Sequence, residues 1–325
     1  MNPTAVYPPP LLRVSHLTKK FKVRQGLRTR WITAVDDVSF HVDERETYAL
    51  VGESGSGKST TGRTLLRLTD ATAGRADFAG RDIFSLSAAP LRALRKDIQM
   101  IFQDPLSSLD PKRTIGYSVA EPLIIHGIGN SAEREARVGQ LLARVGFSPA
   151  DAKRYPHEFS GGQRQRVGIA KALILNPRLI VCDEPVSALD VSIQSQILNL
   201  LLELQRENGL AYLFIAHDLS VVHHIADRIG VMYRGRLVEE APADALFADP
   251  RHPYTRYLLA SIPPSHPRLK TVAATPALRA DTGPHTGRGC VFSGKCPHAM
   301  PRCFTQLPID RRVGDRHHVA CHLAG

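Results

Sequence analysis

A chain of 325 residues, 43% hydrophobic and 22% charged, is long enough to bury a sizeable core. No run of 18 or more apolar residues occurs, which excludes a membrane-spanning helix in the sequence reading. The net charge of +11 suits an anionic membrane face, nucleic acid or a general Arg bias. No interleaving of aromatic and basic residues of the single-strand-binding kind is present, so nucleic acid is not an expected partner.

The first ten residues are Pro-rich and lack the apolar core of a signal peptide, so the chain is expected to stay in the cytoplasm. Residues near 11–48 read as mostly antiparallel strands, entered at Leu11–Val14 and continued by a partly alternating run from Val35 to Val42. Ala49-Leu50-Val51 is a short apolar run, readable as a buried strand. It leads into Gly52-Glu53-Ser54-Gly55-Ser56-Gly57-Lys58-Ser59-Thr60, a full match to G-x-x-x-x-G-K-[ST]. Glycines there let backbone N–H groups approach phosphate oxygens, Lys58 supplies a point charge for the β- and γ-phosphates, and the Ser59 hydroxyl suits Mg²⁺. A helical pattern follows through Thr64, Leu65, Leu66 and Leu68, its N-terminus facing the phosphates.

Met100-Ile101-Phe102 is another strand-like run, ending in Gln103. Residues from about 104 to 172 carry helical patterns, clearest from Glu133 to Val145. Near the end of that stretch lies a second Gly-rich segment, Ser160-Gly161-Gly162-Gln163-Arg164-Gln165-Arg166. Leu179–Cys182 then reads as a buried parallel strand with Asp183 and Glu184 at its C-terminal end, where open α/β sheets bind ligands. Asp183 is placed to hold Mg²⁺, and Glu184 to act as general base or to position the attacking water. A helix is predicted from Asp190 to Asn208: Asp190 caps it, Ile193, Ile197, Leu200, Leu201 and Leu204 form one face, and Gly209 stops it. Tyr212–Ala216 is strand-like and ends in His217.

Taken together, the order and spacing of these segments resemble the ATP-binding subunits of ABC transporters from about Leu11 to Glu240. The nearest likeness is to the oligopeptide/dipeptide permease group, through Phe102-Gln103-Asp104-Pro105, Ser107–Pro111, Tyr155–Phe159 and Val231-Met232-Tyr233. The resemblance implies an α/β P-loop cassette: a mainly parallel sheet core, an antiparallel β subdomain, a helical subdomain at about 104–172 facing the permease, and a small Cys-rich tail. It places an ATPase domain at residues 11–260 and a transporter-type C-terminal region at 261–325. It makes Ser160, Gly161, Gly162 and Gln163 the signature segment that serves the partner's ATP, and Asp190 part of a loop crossing the dimer interface. It makes Gln103 a ligand to Mg²⁺ and water, and His217 the switch histidine at the γ-phosphate. Phe21 is the candidate for stacking on adenine, with Trp31 and Tyr48 as rivals. One departure is Lys171, where the family usually has Arg; the charge is kept and the planar fork lost.

Pro263, Pro264 and Pro267 mark a linker, after which Cys290, Cys296, Cys303 and Cys321 follow as C-x5-C-x6-C-x17-C. The fifth cysteine, Cys182, reads as a small apolar residue of the buried strand. In a cytoplasmic protein such clustering argues for metal rather than disulfides: Zn²⁺ or an iron–sulfur cluster, with unliganded thiols the third reading. In the permease group a similar tail is associated with a 4Fe-4S cluster. The whole implies ATP and Mg²⁺ as ligands and ATP hydrolysis as the activity. The partners implied are a second ATPase subunit (a sister chain or an identical one), two transmembrane permease subunits and an extracytoplasmic binding protein. The expected place is the cytoplasmic face of the inner membrane, peripherally bound. The expected cargo is di- or oligopeptides, with glutathione, nickel complexes, opines and sugars as alternatives. A non-transport ABC ATPase or a simple P-loop kinase fits less well, since neither doubled cassettes nor a coiled-coil insertion appears and a kinase has no use for the signature segment.

Overall fold

In the computed structural model the described residues are 9–26, 28–262, 278–279 and 288–324. The Pro-rich linker at Pro263–Pro267 and most of the Pro-rich start lie outside them. The chain divides into two units, one of Val42–Glu46 with Ser85–Ile215, the other of Leu12–His41, Thr47–Phe84 and the described part of Ala216–Gly325.

The first unit is built on three parallel strands, with Leu179–Asp183 between Ile98–Ile101 and Ala211–Ala216. Leu179–Asp183 and Ala211–Ala216 are buried along their whole length, which is why they read as continuous apolar runs without alternation. Helices Ile115–Ile125, Ser131–Arg144 and Gly161–Leu173 fill the region expected to be helical. The Ser131–Arg144 helix starts at Asn130, whose side chain and that of Glu133 form a reciprocal capping box, and it buries Val138, Leu141 and Leu142. Lys171 donates to Glu121 Oε2 (2.7 Å) and to the Ser108 carbonyl (2.8 Å), so the lysine's charge is used inside this region.

The helix predicted from Asp190 spans Val191–Asn208 and ends at Gly209, whose φ of 64° is the left-handed stop that favours glycine. Asp190 sits at the N-cap with extended backbone, but its side chain makes no capping hydrogen bond.

The second unit contains an antiparallel sheet in the order Arg28–Val42, Leu12–Gln25, Ala73–Phe78, Arg81–Asp82. Leu12 faces Phe78 and Val14 faces Ala76, with a bulge between Ser15 and Thr18. It also contains Thr47–Val51, which pairs in parallel with Arg228–Tyr233. Arg236–Pro242 pairs antiparallel to Arg228–Tyr233, and His317–Val319 and Arg311–Gly314 extend the ladder. The hairpin after Tyr233 and the two tail strands thus add antiparallel pairs at one edge, while the strands Thr47–Val51 and Arg228–Tyr233 pair in parallel. The helix after the phosphate loop is short, Lys58–Leu65, and Leu68, expected to belong to its pattern, is half-exposed beyond its end.

Candidate functional site: the phosphate loop and the Asp-Glu strand end

In the second unit the loop after Thr47–Val51 turns on glycines that no other residue could replace. A Cβ on Gly52 (φ 152°) would lie 2.1 Å from the Met232 carbonyl oxygen, and one on Gly57 (φ 105°) 2.2 Å from that of Ala34. The Lys58 ammonium is buried and donates to the carbonyls of Gly52 (2.8 Å) and Glu53 (3.0 Å). Ser54 and Gly55 are exposed, Ser56 is buried, and Ser59 and Thr60 open the helix half-buried. Such a loop, lined by backbone N–H groups with one lysine at its base, has the chemistry to cradle phosphates.

In the same unit His217 follows its strand directly and is exposed, and the next residue, Asp218, caps a short helix by accepting from Ser220 N (2.8 Å). Of the three aromatic candidates for adenine, Tyr48 is withdrawn by burial: it stacks on Phe40 with ring centroids 4.9 Å apart and donates to Glu240 Oε2. Phe21 and Trp31 are exposed, and the Lys19 ammonium sits over the Phe21 ring at 4.8 Å.

In the first unit, Asp183 ends its strand fully buried and Glu184 follows in a left-handed conformation, φ 48°. That conformation costs a non-glycine residue energy and is held by its surroundings. The Glu184 N–H donates to the Ile215 carbonyl (3.0 Å), and its own carbonyl accepts from the Ser187 hydroxyl (3.1 Å). Its carboxylate accepts from the Gln103 amide at 3.1 Å, so the structure brings these two predicted residues together. Beside them Cys182 is buried, and burial with the neighbouring Asp183 pushes its thiol far up, which leaves it inert as expected.

Farther along this unit, Ser160 caps the Gly161–Leu173 helix. Its hydroxyl accepts from Gln163 N, and its N–H donates to Gln163 Oε1 at 2.9 Å. Residues 160–163 thus form a capping box, S-x-x-Q, a local role that the sequence reading passed over. Gly162 is buried against Ile193; a Cβ there would lie 2.5 Å from Ile193 Cγ2. Asp190 is exposed.

The tail cysteines Cys290, Cys296, Cys303 and Cys321 are all buried and free of disulfides. The Cys290 N–H donates to the Cys303 carbonyl at 2.7 Å. Burial pushes the Cys290 thiol up to about 11; a hydrogen bond from the Phe292 N–H opposes this, and Cys321, Cys303 and Cys296 add to it. Cys296 and Cys321 are raised as well, mainly by burial. Among the described residues no group of three or more His, Cys, Asp or Glu is set to hold a single metal ion. Sequence reasoning missed Tyr254. Its phenol oxygen accepts from the Glu53 N–H of the phosphate loop at 2.8 Å, and only the His252-Pro253 helix start was there to signal a structured segment.

Residues 35–187 match the ABC transporter family, and residues 238–303 match the oligopeptide/dipeptide transporter C-terminal region. The chain is 49% identical over 326 residues to the oligopeptide transport ATP-binding protein AppF of Bacillus subtilis (strain 168), covering 98% of this chain and 99% of that one. It is 56% identical over 267 residues to the glutathione import ATP-binding protein GsiA of Salmonella paratyphi A (strain ATCC 9150 / SARB42), covering 81% of this chain but 43% of that longer protein. Among solved structures, the ATP-binding cassette MJ0796, dimeric in a post-hydrolysis state with ADP and Pi, superposes with a TM-score of 0.64 at 31% identity, covering 71% of this chain and 98% of that one. The cbiO1 protein from Clostridium perfringens, part of the ABC transporter complex cbiONQ, gives 0.64 at 27% identity, covering 74% and 91%. No described helix is long and apolar enough to cross a membrane. The chain belongs to the ATP-binding, ATP-hydrolysing subunits of ABC importers, in the oligopeptide/dipeptide transporter group.

Proposed function

We propose that this subunit powers the import of di- or oligopeptides. The observation that carries the cargo is the near full-length likeness to AppF together with the match of residues 238–303 to the oligopeptide/dipeptide transporter C-terminal region. A second reading, import of glutathione, is favoured by the 56% identity to GsiA. Glutathione is itself a small peptide, so both readings ask for a permease that accepts peptide-like solutes.

The proposed roles follow the motifs. Gly52, Glu53, Ser54, Gly55, Ser56, Gly57, Lys58, Ser59 and Thr60 bind the phosphates, and Phe21 stacks on adenine. Ser59, Gln103 and Asp183 hold Mg²⁺, which neutralises phosphate charge when bound. Glu184 takes the proton of the attacking water or aims it, and His217 senses the γ-phosphate. Ser160, Gly161, Gly162 and Gln163 present a helix N-terminus to the ATP of a second ATPase subunit, and Asp190 lies in the facing loop. The domain limits follow the same reading, 11–260 for the ATPase and 261–325 for the C-terminal region. The subunit then works peripherally at the cytoplasmic membrane face with two permease subunits and an external binding protein. The four tail cysteines are inferred to ligate a 4Fe-4S cluster, supported by their closeness in the sequence and their burial as free thiols. Anaerobically purified protein carrying about four irons per chain is the expected result, and iron-free protein would refute it.

Uptake of labelled dipeptides, oligopeptides and glutathione, by cells whose only copy is wild type or Glu184→Gln, tests the whole. Loss of peptide uptake in the variant is expected. Loss of glutathione uptake alone would favour the second reading.

A further inference from the structure

The peptide group joining Gly52 to Glu53 is gripped at both ends. Its carbonyl accepts from Lys58 Nζ at 2.8 Å, and its N–H donates to the phenol oxygen of Tyr254 at 2.8 Å. This peptide forms the first turn of the phosphate loop, so whatever orients Tyr254 also orients the carbonyl that holds the lysine. Tyr254 is itself fully buried, and its ring is fixed by Tyr233 (centroids 4.6 Å) and Phe292 (5.4 Å). Its helix, Pro253–Ala260, is anchored at the start: Glu239 accepts from the N–H groups of Arg251 and His252, and from His317 Nε2 of the tail.

Phe292 belongs to the cysteine-rich tail, two residues after Cys290. Its carbonyl accepts from Cys296 N at 3.0 Å. Its ring also packs edge-on to Tyr233 at 5.2 Å. One residue thus touches the thiol patch through its backbone and the loop-holding tyrosine through its side chain. A second, weaker link runs from Lys295 to the Glu53 carboxylate at 4.0 Å, partly exposed and worth little alone.

We propose that Tyr254 is a positioning residue for the phosphate loop, and that Phe292 couples the cysteine-rich tail to it, so that the arrangement of the tail sets the affinity for ATP. This rests on the reading of residues 52–60 as the ATP site. Loss of the phenol oxygen leaves a buried N–H without its acceptor and frees the loop to tilt. Nucleotide binding weakens, while the chemical step, carried by other residues, does not.

The test is a titration of the full-length chain with fluorescent N-methylanthraniloyl-ATP, alongside steady-state hydrolysis. Wild type, Lys58→Ala, Tyr254→Phe, Phe292→Leu and the Tyr254→Phe/Phe292→Leu double variant are compared. Tyr254→Phe keeps the ring, so it is expected to fold, and to raise Kd and KM for ATP about three- to ten-fold with kcat held within about two-fold. Phe292→Leu is expected to act in the same direction, about two- to five-fold, and the double variant to be no weaker than Tyr254→Phe alone, because both act along one path. Partial unfolding would instead lower the titration amplitude and leave Kd in place. Wild-type Kd in Tyr254→Phe overturns the positioning role, and multiplying effects in the double variant overturn the coupling. Wild-type protein that binds ATP no better than Lys58→Ala overturns the nucleotide reading itself.

Discussion

The side-chain amide of Gln103 donates to Oε2 of Glu184 at 3.1 Å, just beyond the C-terminal ends of two directly paired parallel strands, Ile98–Ile101 and Leu179–Asp183. A neutral amide in that position holds the carboxylate without taking its charge, and leaves the second carboxylate oxygen for other partners.

If Glu184 activates or aims water, Glu184→Gln keeps its shape and loses its basicity. ATP binding should persist while turnover falls by a factor of about 10² to 10⁴. Equilibrium nucleotide binding and phosphate release measured on one preparation separate the two effects.

Gln103→Glu puts a second carboxyl within hydrogen-bond distance of Glu184. A like charge then stands about 3 Å from the Glu184 carboxylate where an amide donor stood, so turnover should fall by about ten-fold. Wild-type turnover would show that the contact is not kept in the working enzyme.

Gly162→Ala forces a methyl to within 2.5 Å of Ile193 Cγ2, and a β-branched neighbour has little freedom to swing aside. The expected cost is about 1–3 kcal/mol of stability. Ile193→Ala removes the obstructing atom, so the double variant should cost less than the sum of the two singles in denaturant unfolding.

His252 is buried, and burial lowers its pKa to about 3 from 6.5. Its Nδ1 accepts from Tyr254 N at 3.1 Å, which suits the neutral ring. Between those two values the unfolded chain binds a proton that the folded chain refuses. Stability is therefore undiminished above about pH 6.5 and is lost as pH falls below it, by at most about 1.4 kcal/mol per pH unit. His252→Asn keeps an acceptor for the helix start and removes the titration. Thermal melting from pH 7 to 5.5 should show a shallower fall in Tm for the variant than for wild type.

Much of the site was legible in the sequence because its chemistry is local. The phosphate loop depends on backbone turns that glycine alone permits, and Gly52 and Gly57 indeed meet carbonyl oxygens where a side chain would stand. The Val191–Asn208 helix was legible from its apolar face and from Gly209, because period and stop are written in neighbouring residues. Tyr48 was not separable from Phe21 in sequence, since an aromatic residue beside an apolar run looks the same whether it faces solvent or a core. The hydrogen bond of Tyr254 to Glu53, two hundred and one positions away, has no local signature at all.

By itself the sequence determined the order of the motifs and the family. Each of those rests on short segments whose geometry is dictated by residue type and spacing. Only the tertiary structure decided that tail strands extend the sheet edge in antiparallel pairs, that Gln103 meets Glu184, and that the cysteine-rich tail reaches the phosphate loop through Phe292 and Tyr254. Those facts depend on strand pairing and side-chain packing between distant parts of the chain, and burial makes such contacts strong without leaving any periodicity for a sequence to display.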